Sequence, residues 1–121
     1  MKRVVVLLAV LLGAAAPADR LAALLGDRIA AEPVDCIDSL SIDQVKLVPG
    51  VGFLYRMRTG GVVYLNRVTK GQDAVHDGVL PLIERASPRL CSVQLVTLVN
   101  ENSRRPIGTA TLGLFVPYRR P

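Results

Sequence analysis

The chain has no tryptophan and only five aromatic residues, Phe53, Tyr55, Tyr64, Phe115 and Tyr118. A platform that stacks sugar rings or single-stranded nucleic acid needs several exposed rings, so that class of function lacks its parts. Histidine is scarcer, with His76 alone, and the cysteines are two, Cys36 and Cys91. A structural zinc site takes four soft ligands, which these three residues do not supply, and no metal or other cofactor is expected. No Cys-x-x-Cys occurs, which disfavours a dithiol redox centre. Charged residues make up 21% of the 121 and hydrophobic ones 50%, a balance unlike that of a disordered chain and sufficient for one domain. No internal repeat, low-complexity stretch or alternation of strands with helices is present.

What is there begins with a leader. Lys2 and Arg3 precede an apolar run over residues 4–12 and a small-residue stretch over 13–18 that ends in Ala16, Pro17 and Ala18. This layout predicts a signal peptide over residues 1–18, cut before Asp19. The run falls short of the roughly 20 residues that span a bilayer as a helix. Continued as an anchor through residues 21–29, it would place Asp19, Arg20, Asp27 and Arg28 in hydrocarbon at about 2.5 to 3.5 kcal/mol each if central. No cysteine follows closely enough to carry a lipid. The expected product is periplasmic or secreted, with no transmembrane anchor after processing.

In an oxidising compartment a lone cysteine pair forms a disulfide, so Cys36 and Cys91 are expected to be bridged. The formal charge of +5 is unevenly spread. Residues 19–50 carry six acids against three bases, and residues 51–121 ten bases against four acids. Two readings follow: the halves neutralise one another in the fold, or the second half offers a basic surface to an anionic partner such as lipid headgroups, lipopolysaccharide or an acidic protein.

Residues 19–33 read as a short amphipathic helix and linker, with a stripe of Leu21, Leu24, Leu25 and Ile29, Asp19 as N-cap, Gly26 weakening the interior and Pro33 stopping it. From residue 34 to 121 the chain reads as a single β domain. Strands are expected over residues 42–48, in a hairpin over 53–68, over 79–85, over 93–99 starting just after Cys91, and over 111–116. Pro81 marks the strand at 79–85 as an edge strand, a helical turn or a loop. Pro117 is expected to end the last strand and residues 118–121 to fray. The fold class is therefore all-β, a small antiparallel barrel or sandwich of about six short strands behind a marginal helix; strand order is not encoded in periodicity.

Gly60 and Gly61 predict a two-residue hairpin turn, which sets Met57 opposite Tyr64, Tyr55 opposite Asn66 and Phe53 opposite Val68 on the core face. The other face then carries Arg56, Arg58 and Arg67 beside Leu54, Val63 and Leu65. These three arginines are the candidate anion-binding face, with Lys70, Arg104 and Arg105 as further contributors. The competing reading is a solvated outer face whose guanidinium stems cover apolar neighbours.

Cys36-Ile37, the run over 42–48, the hairpin ending Val63-Tyr64-Leu65-Asn66-Arg67, Leu90-Cys91 and the closing Leu112-Gly113-Leu114-Phe115-Val116-Pro117-Tyr118 together resemble an uncharacterised family of small secreted bacterial proteins, a domain of unknown function. The resemblance implies export and a β-rich fold and brings no activity with it. The resemblance further implies a four-cysteine pattern of which two are absent here; if those two pair with each other, the remaining Cys36 and Cys91 pair as well.

The inventory for catalysis is thin. His76 sits in a loop with Asp73 and Asp77, where a solvated histidine is the commoner outcome than a carboxylate-held base. Asp35 and Asp38 flank Cys36 and read as hydrated turn caps more readily than as an acid pair. Gly50-x-Gly52 and Gly60-Gly61 are too short to cradle phosphate without a following helix. The expectation is no enzyme but a small exported binding or structural module of the bacterial envelope. Its partner is an unidentified envelope protein or, in the alternative, an anionic surface or polymer; nucleic acid is not expected.

Overall fold

The computed structural model describes residues 16–83 and 87–121. Most of the signal peptide expected over 1–18, and the end of the strand expected over 79–85, lie outside the described residues. The fold is all-β; the described residues hold one short helix, α1 (Pro17–Leu25), and ten strands in three antiparallel sheets. β1 (Ile29–Ala30), β10 (Phe115–Arg119), β5 (Val63–Arg67), β4 (Gly52–Met57) and β3 (Ile42–Val48) form a five-stranded sheet in that order. β6 (Val79–Pro81), β8 (Leu95–Asn100) and β9 (Pro106–Thr111) form a second sheet, and β2 (Cys36–Asp38) with β7 (Arg89–Cys91) a two-stranded ribbon.

The two larger sheets face each other across one core. Phe53, Tyr55 and Phe115 from the first sheet meet Val79, Val96, Leu98 and Ala110 from the second, and Ile37 of the ribbon closes the cluster. Tyr55 lies 5.8 Å from Phe115, centroid to centroid, in a tilted contact. Along one side the sheets are stitched together, because Thr69 N–H donates to Thr111 O (2.9 Å) and Thr111 N–H to Lys70 O (3.0 Å). On the opposite side no backbone bond joins β3 to β6 among the described residues; Gly50 N–H, just past β3, donates to Val75 O (2.8 Å) ahead of β6. The result is a sandwich joined on one side.

Asn66 is fully buried in this interior and is satisfied by one partner. Its Nδ2 donates to Gly113 O and its Oδ1 accepts from Gly113 N–H, both at 2.8 Å. Tyr55 is the contrary case: its hydroxyl is buried with no hydrogen-bond partner among the described residues, and burial pushes its ionisation above the ordinary phenol value. A polar atom buried unpaired costs about 1–3 kcal/mol, so Tyr55→Phe is expected to hold or raise stability at pH 7. Above about pH 10 the unfolded chain ionises this phenol and the folded one does not, so wild-type stability falls as pH rises. Denaturant melts at pH 7 and pH 11 should show a shallower alkaline loss in Tyr55→Phe.

The other face of the hairpin is covered. α1 lays Leu21 and Leu25 on Val48, Leu54, Val63 and Leu65, a second core on the surface that the alternation assigned to solvent and arginine. The helix stops at Leu25 rather than running on through Ile29, because Gly26 takes φ 61° and turns the chain out. Ile29, expected on the helical stripe, instead pairs in β1 and is 60% exposed. Asp19 lies in the first helical turn, and the N-cap position is Ala16.

The hairpin register differs by two from the expected one. Met57 N–H closes on Val62 O (3.2 Å), Tyr55 stands opposite Tyr64, and residues 58–61 form a four-residue loop with Gly60 and Gly61 at φ 78° and 64°. A shift of two preserves faces. The observed register stacks Leu54 on Leu65 beneath α1, where the expected one would set each against an arginine. The expected strand over 111–116 is also divided: β9 ends at Thr111 and β10 starts at Phe115. Pro117 does not end β10, since its carbonyl accepts from Ala31 N–H (2.8 Å) and its missing donor therefore faces short β1, not β5. The tail is paired as far as Arg119, opposite Ile29.

Cys36 and Cys91 are disulfide-bonded, directly opposite on β2 and β7 with Cα atoms 4.0 Å apart. The bridge staples this ribbon and not the central strand β8, which begins later than expected because the chain turns at Ser92 and Val93. Val93 holds φ 67° with its side chain 80% exposed. A β-branched residue in the left-handed region costs about 1–2 kcal/mol. Val93→Asn, which tolerates that conformation, is expected to raise the thermal midpoint by roughly 4 °C, readable by circular dichroism.

Candidate functional site

The unstitched side of the sandwich follows from the ladder pattern. Because Met57 N–H points to β5, the next residues, Arg56, Leu54 and Gly52, bond toward β3, opposite Gln44, Lys46 and Val48. The alternation of an antiparallel pair then turns the peptide groups of Val45 and Leu47 away from β4, toward β6. β6 has no donor to return. Leu82 N–H is spent on Thr97 O (2.8 Å), Val79 N–H on His76 O (3.2 Å), and Pro81 has no N–H. Two edge strands thus lie side by side without zipping, and the proline is the reason.

Two cavities line this seam, and Val45 and Leu80 belong to both. One of about 460 Å³ lies among Arg20 and Leu24 of α1, Leu47 of β3 and Val79 of β6, with Asp77 and Glu101 at its rim. The other, about 410 Å³, is lined by Ile42, Asp43 and Pro81, with Arg58 and Arg104 at its rim. The β3 edge is therefore recessed, walled by α1 on one side and β6 on the other. Its two ends differ in charge. At the α1 end Arg20 pairs with Asp77 (3.2 Å), and Lys46 and Glu101 carry opposite signs. At the other end Asp43 is held by Arg56 (2.6 Å), and among the described residues neither Arg58 nor Arg104 has an ionic partner.

The three candidate arginines are thereby distributed. Arg56, exposed opposite Val63, gives its guanidinium to Asp43 through both Nε (3.2 Å) and Nη2 (2.6 Å). Arg58 heads the hairpin loop, anchored by its N–H to Ser41 O (2.9 Å), and turns to the seam. Arg67 stands opposite Gly52, four residues or about 13 Å along β4 from Arg56. There it lines a hollow with Leu21, Leu25 and Val51. α1 occupies the middle of the face, so Arg67 is not brought together with the other two, and Arg104, one of the expected contributors, is brought to Arg58 instead.

The acidic residues near Cys36 are committed to separate partners. Asp38 accepts from Ser41 Oγ (2.7 Å) and Leu40 N–H (3.0 Å), and these bonds, the hydroxyl first, hold its carboxyl below the usual range. Asp35 accepts from the Ser92 hydroxyl. His76 is exposed, with Nδ1 3.2 Å from Asp77 O, while the Asp77 carboxylate serves Arg20. Among the described residues no three of His, Cys, Asp and Glu gather as a metal would require, and no helix is long and apolar enough to cross a membrane.

Comparison of the chain with protein-family models, with curated proteins and with solved structures gave no match in any of the three. The candidate site accordingly stands on its own geometry. Its core residues, Val45, Leu47 and Leu80, were not singled out by sequence; the available signal was Pro81, which marks an edge without saying what lies beside it.

Proposed function

We propose that the protein is an exported binding module of the bacterial cell envelope, periplasmic or secreted after cleavage behind Ala18, with no catalytic role. The observation that carries the binding reading is the recessed, unsatisfied edge of β3 at Val45 and Leu47. A backbone edge set between walls is poor at chemistry and good at contact, because it presents donors and acceptors without a nucleophile or base. Export is supported by the Cys36–Cys91 bridge, which persists in oxidising compartments. The resemblance to small secreted bacterial proteins points the same way. Cleavage before Asp19 would keep Leu21 and Leu25, the two residues through which α1 is buried.

The alternative, binding of an anionic surface by Arg56, Arg58 and Arg67, has less support, since Arg56 is paired and Arg67 stands apart. Binding to anionic vesicles that falls steeply with salt would favour it. The test of the main reading is the intact mass of the protein from fractionated cells, before and after reduction and alkylation. An envelope species beginning at Asp19, whose thiols alkylate only after reduction, is the expected result. A full-length cytoplasmic species with free thiols would overturn it.

A further inference from the structure

Resting on the reading of the protein as a binding module, we infer that the seam between β3 and β6 takes up an extended segment of a partner polypeptide. The segment lies antiparallel to β3, is apolar at alternate residues, and carries a carboxylate at its C-terminal end.

The backbone selects the occupant. Val45 and Leu47 each turn an N–H and a C=O into the seam, about 7 Å apart along the strand, and only another extended chain repeats donors and acceptors at that interval. β6 cannot serve, for want of donors at Pro81 and Val79, so among the described residues the β3 edge is left without a strand partner. Side chains on one face of an added strand would enter the space bordered by Val45, Leu47 and Leu80, which sets the apolar alternation.

Charge sets the direction. Every strand pair among the described residues is antiparallel, and antiparallel pairing is slightly the more stable, so the added strand is expected to run against β3. Its C-terminal end then falls beside Ile42, where Arg58 and Arg104 face the cavity, the lining carboxylate Asp43 is held by Arg56, and Asp38 nearby is held by Ser41 and Leu40. The opposite end is balanced by Arg20 with Asp77 and by Lys46 with Glu101, and places no like demand. A second copy of the protein is the poorer occupant: its own β3 edge is equally recessed between α1 and β6, and two recessed edges do not meet.

The experiment is selection from a displayed library of random nonapeptides with free C-terminal carboxylates, on the oxidised protein. The expected winners alternate apolar and polar residues and end in Asp, Glu or the free carboxylate. Methylating the peptide nitrogens that face Val45 and Leu47 should weaken a winner about tenfold or more, since the hydrogen bonds to the β3 edge are lost. Arg58→Ala and Arg104→Ala, both at exposed positions, should weaken it severalfold in a salt-dependent way. The methylated peptides keep the test independent of whether any variant folds. Binders that ignore methylation, or that show no alternation, overturn the inference, and so does an absence of binders. Concentration-dependent dimerisation blocked by a bulky label at Val45 would assign the seam to a second copy and overturn it as well. Should the library fail while a photo-reactive residue at Leu95, away from the seam, captures an envelope protein, the seam is wrong and the binding-module reading stands.

Discussion

Cys91→Ser is expected to lower the thermal midpoint of the oxidised protein by roughly 15 °C. The bridge closes a loop of 55 positions, for which the chain-entropy relation gives about 4 kcal/mol, and a domain of this size loses about 4 °C per kcal/mol. The location of the bridge strengthens the expectation. The β2–β7 ribbon has only three residue pairs, yet it carries Ile37 into the main core and packs Leu90 against it. Ser39, buried just beyond β2, depends on the same junction, donating N–H to Pro88 O (3.0 Å) and Oγ to Ser87 O (2.7 Å). Opening the bridge therefore loosens that end of the sandwich as well as enlarging the unfolded ensemble. Calorimetry of wild type, Cys36→Ser and Cys91→Ser, with and without reductant, checks this. Both variants and the reduced wild type should melt together, and an unchanged midpoint would remove the staple from the account of stability.

The bridge was legible because two cysteines allow one pairing. β3 was legible to the residue, since Ile42–Val48 is bounded by a helical turn and by Pro49-Gly50. The division of hairpin faces also survived, because a register error of two leaves the period of two intact. What escaped depends on partners distant in the chain. Gly60-Gly61 fits a two-residue turn and the end of a four-residue loop equally well, and the choice was made by Leu54 and Leu65 meeting under α1. The break at residues 112–114 carried a local signal, Gly113, but it is Asn66, forty-seven positions away, that holds it in place. The candidate site fared likewise. Periodicity groups the arginines on one face because it counts alternate residues and cannot see a helix laid across them. The seam was half legible: Pro81 announced an edge, while its neighbour β3 comes from strand order, which no local pattern records.

Asn66 is the position where substitution should be most telling, and for one variant the effect should depend on pH. Asn66→Ala leaves Gly113 N–H and C=O without partners in a dry interior and removes two hydrogen bonds, an expected loss of about 3–5 kcal/mol. Gly113 cannot shift to compensate freely, because its Cα is packed against the Arg67 carbonyl oxygen so tightly that a Cβ would collide there. Asn66→Asp keeps the acceptor for Gly113 N–H but turns a second oxygen toward Gly113 O. That arrangement is tolerable while the carboxyl holds a proton, which takes the place of the Nδ2–H donor. Ionised, it is a buried charge against a carbonyl, with a penalty of several kcal/mol. The carboxyl is thereby raised in the folded state above its unfolded value near 4. For a carboxyl so raised, stability is greatest below the unfolded value and is lost as pH rises toward the folded one. Asn66→Asp should consequently be more stable near pH 4 than at pH 7 relative to wild type at each pH, while the deficit of Asn66→Ala stays level. Urea melts of both variants across that interval decide it, and parallel profiles would mean that Asn66 and Gly113 are not joined by the two-way bond.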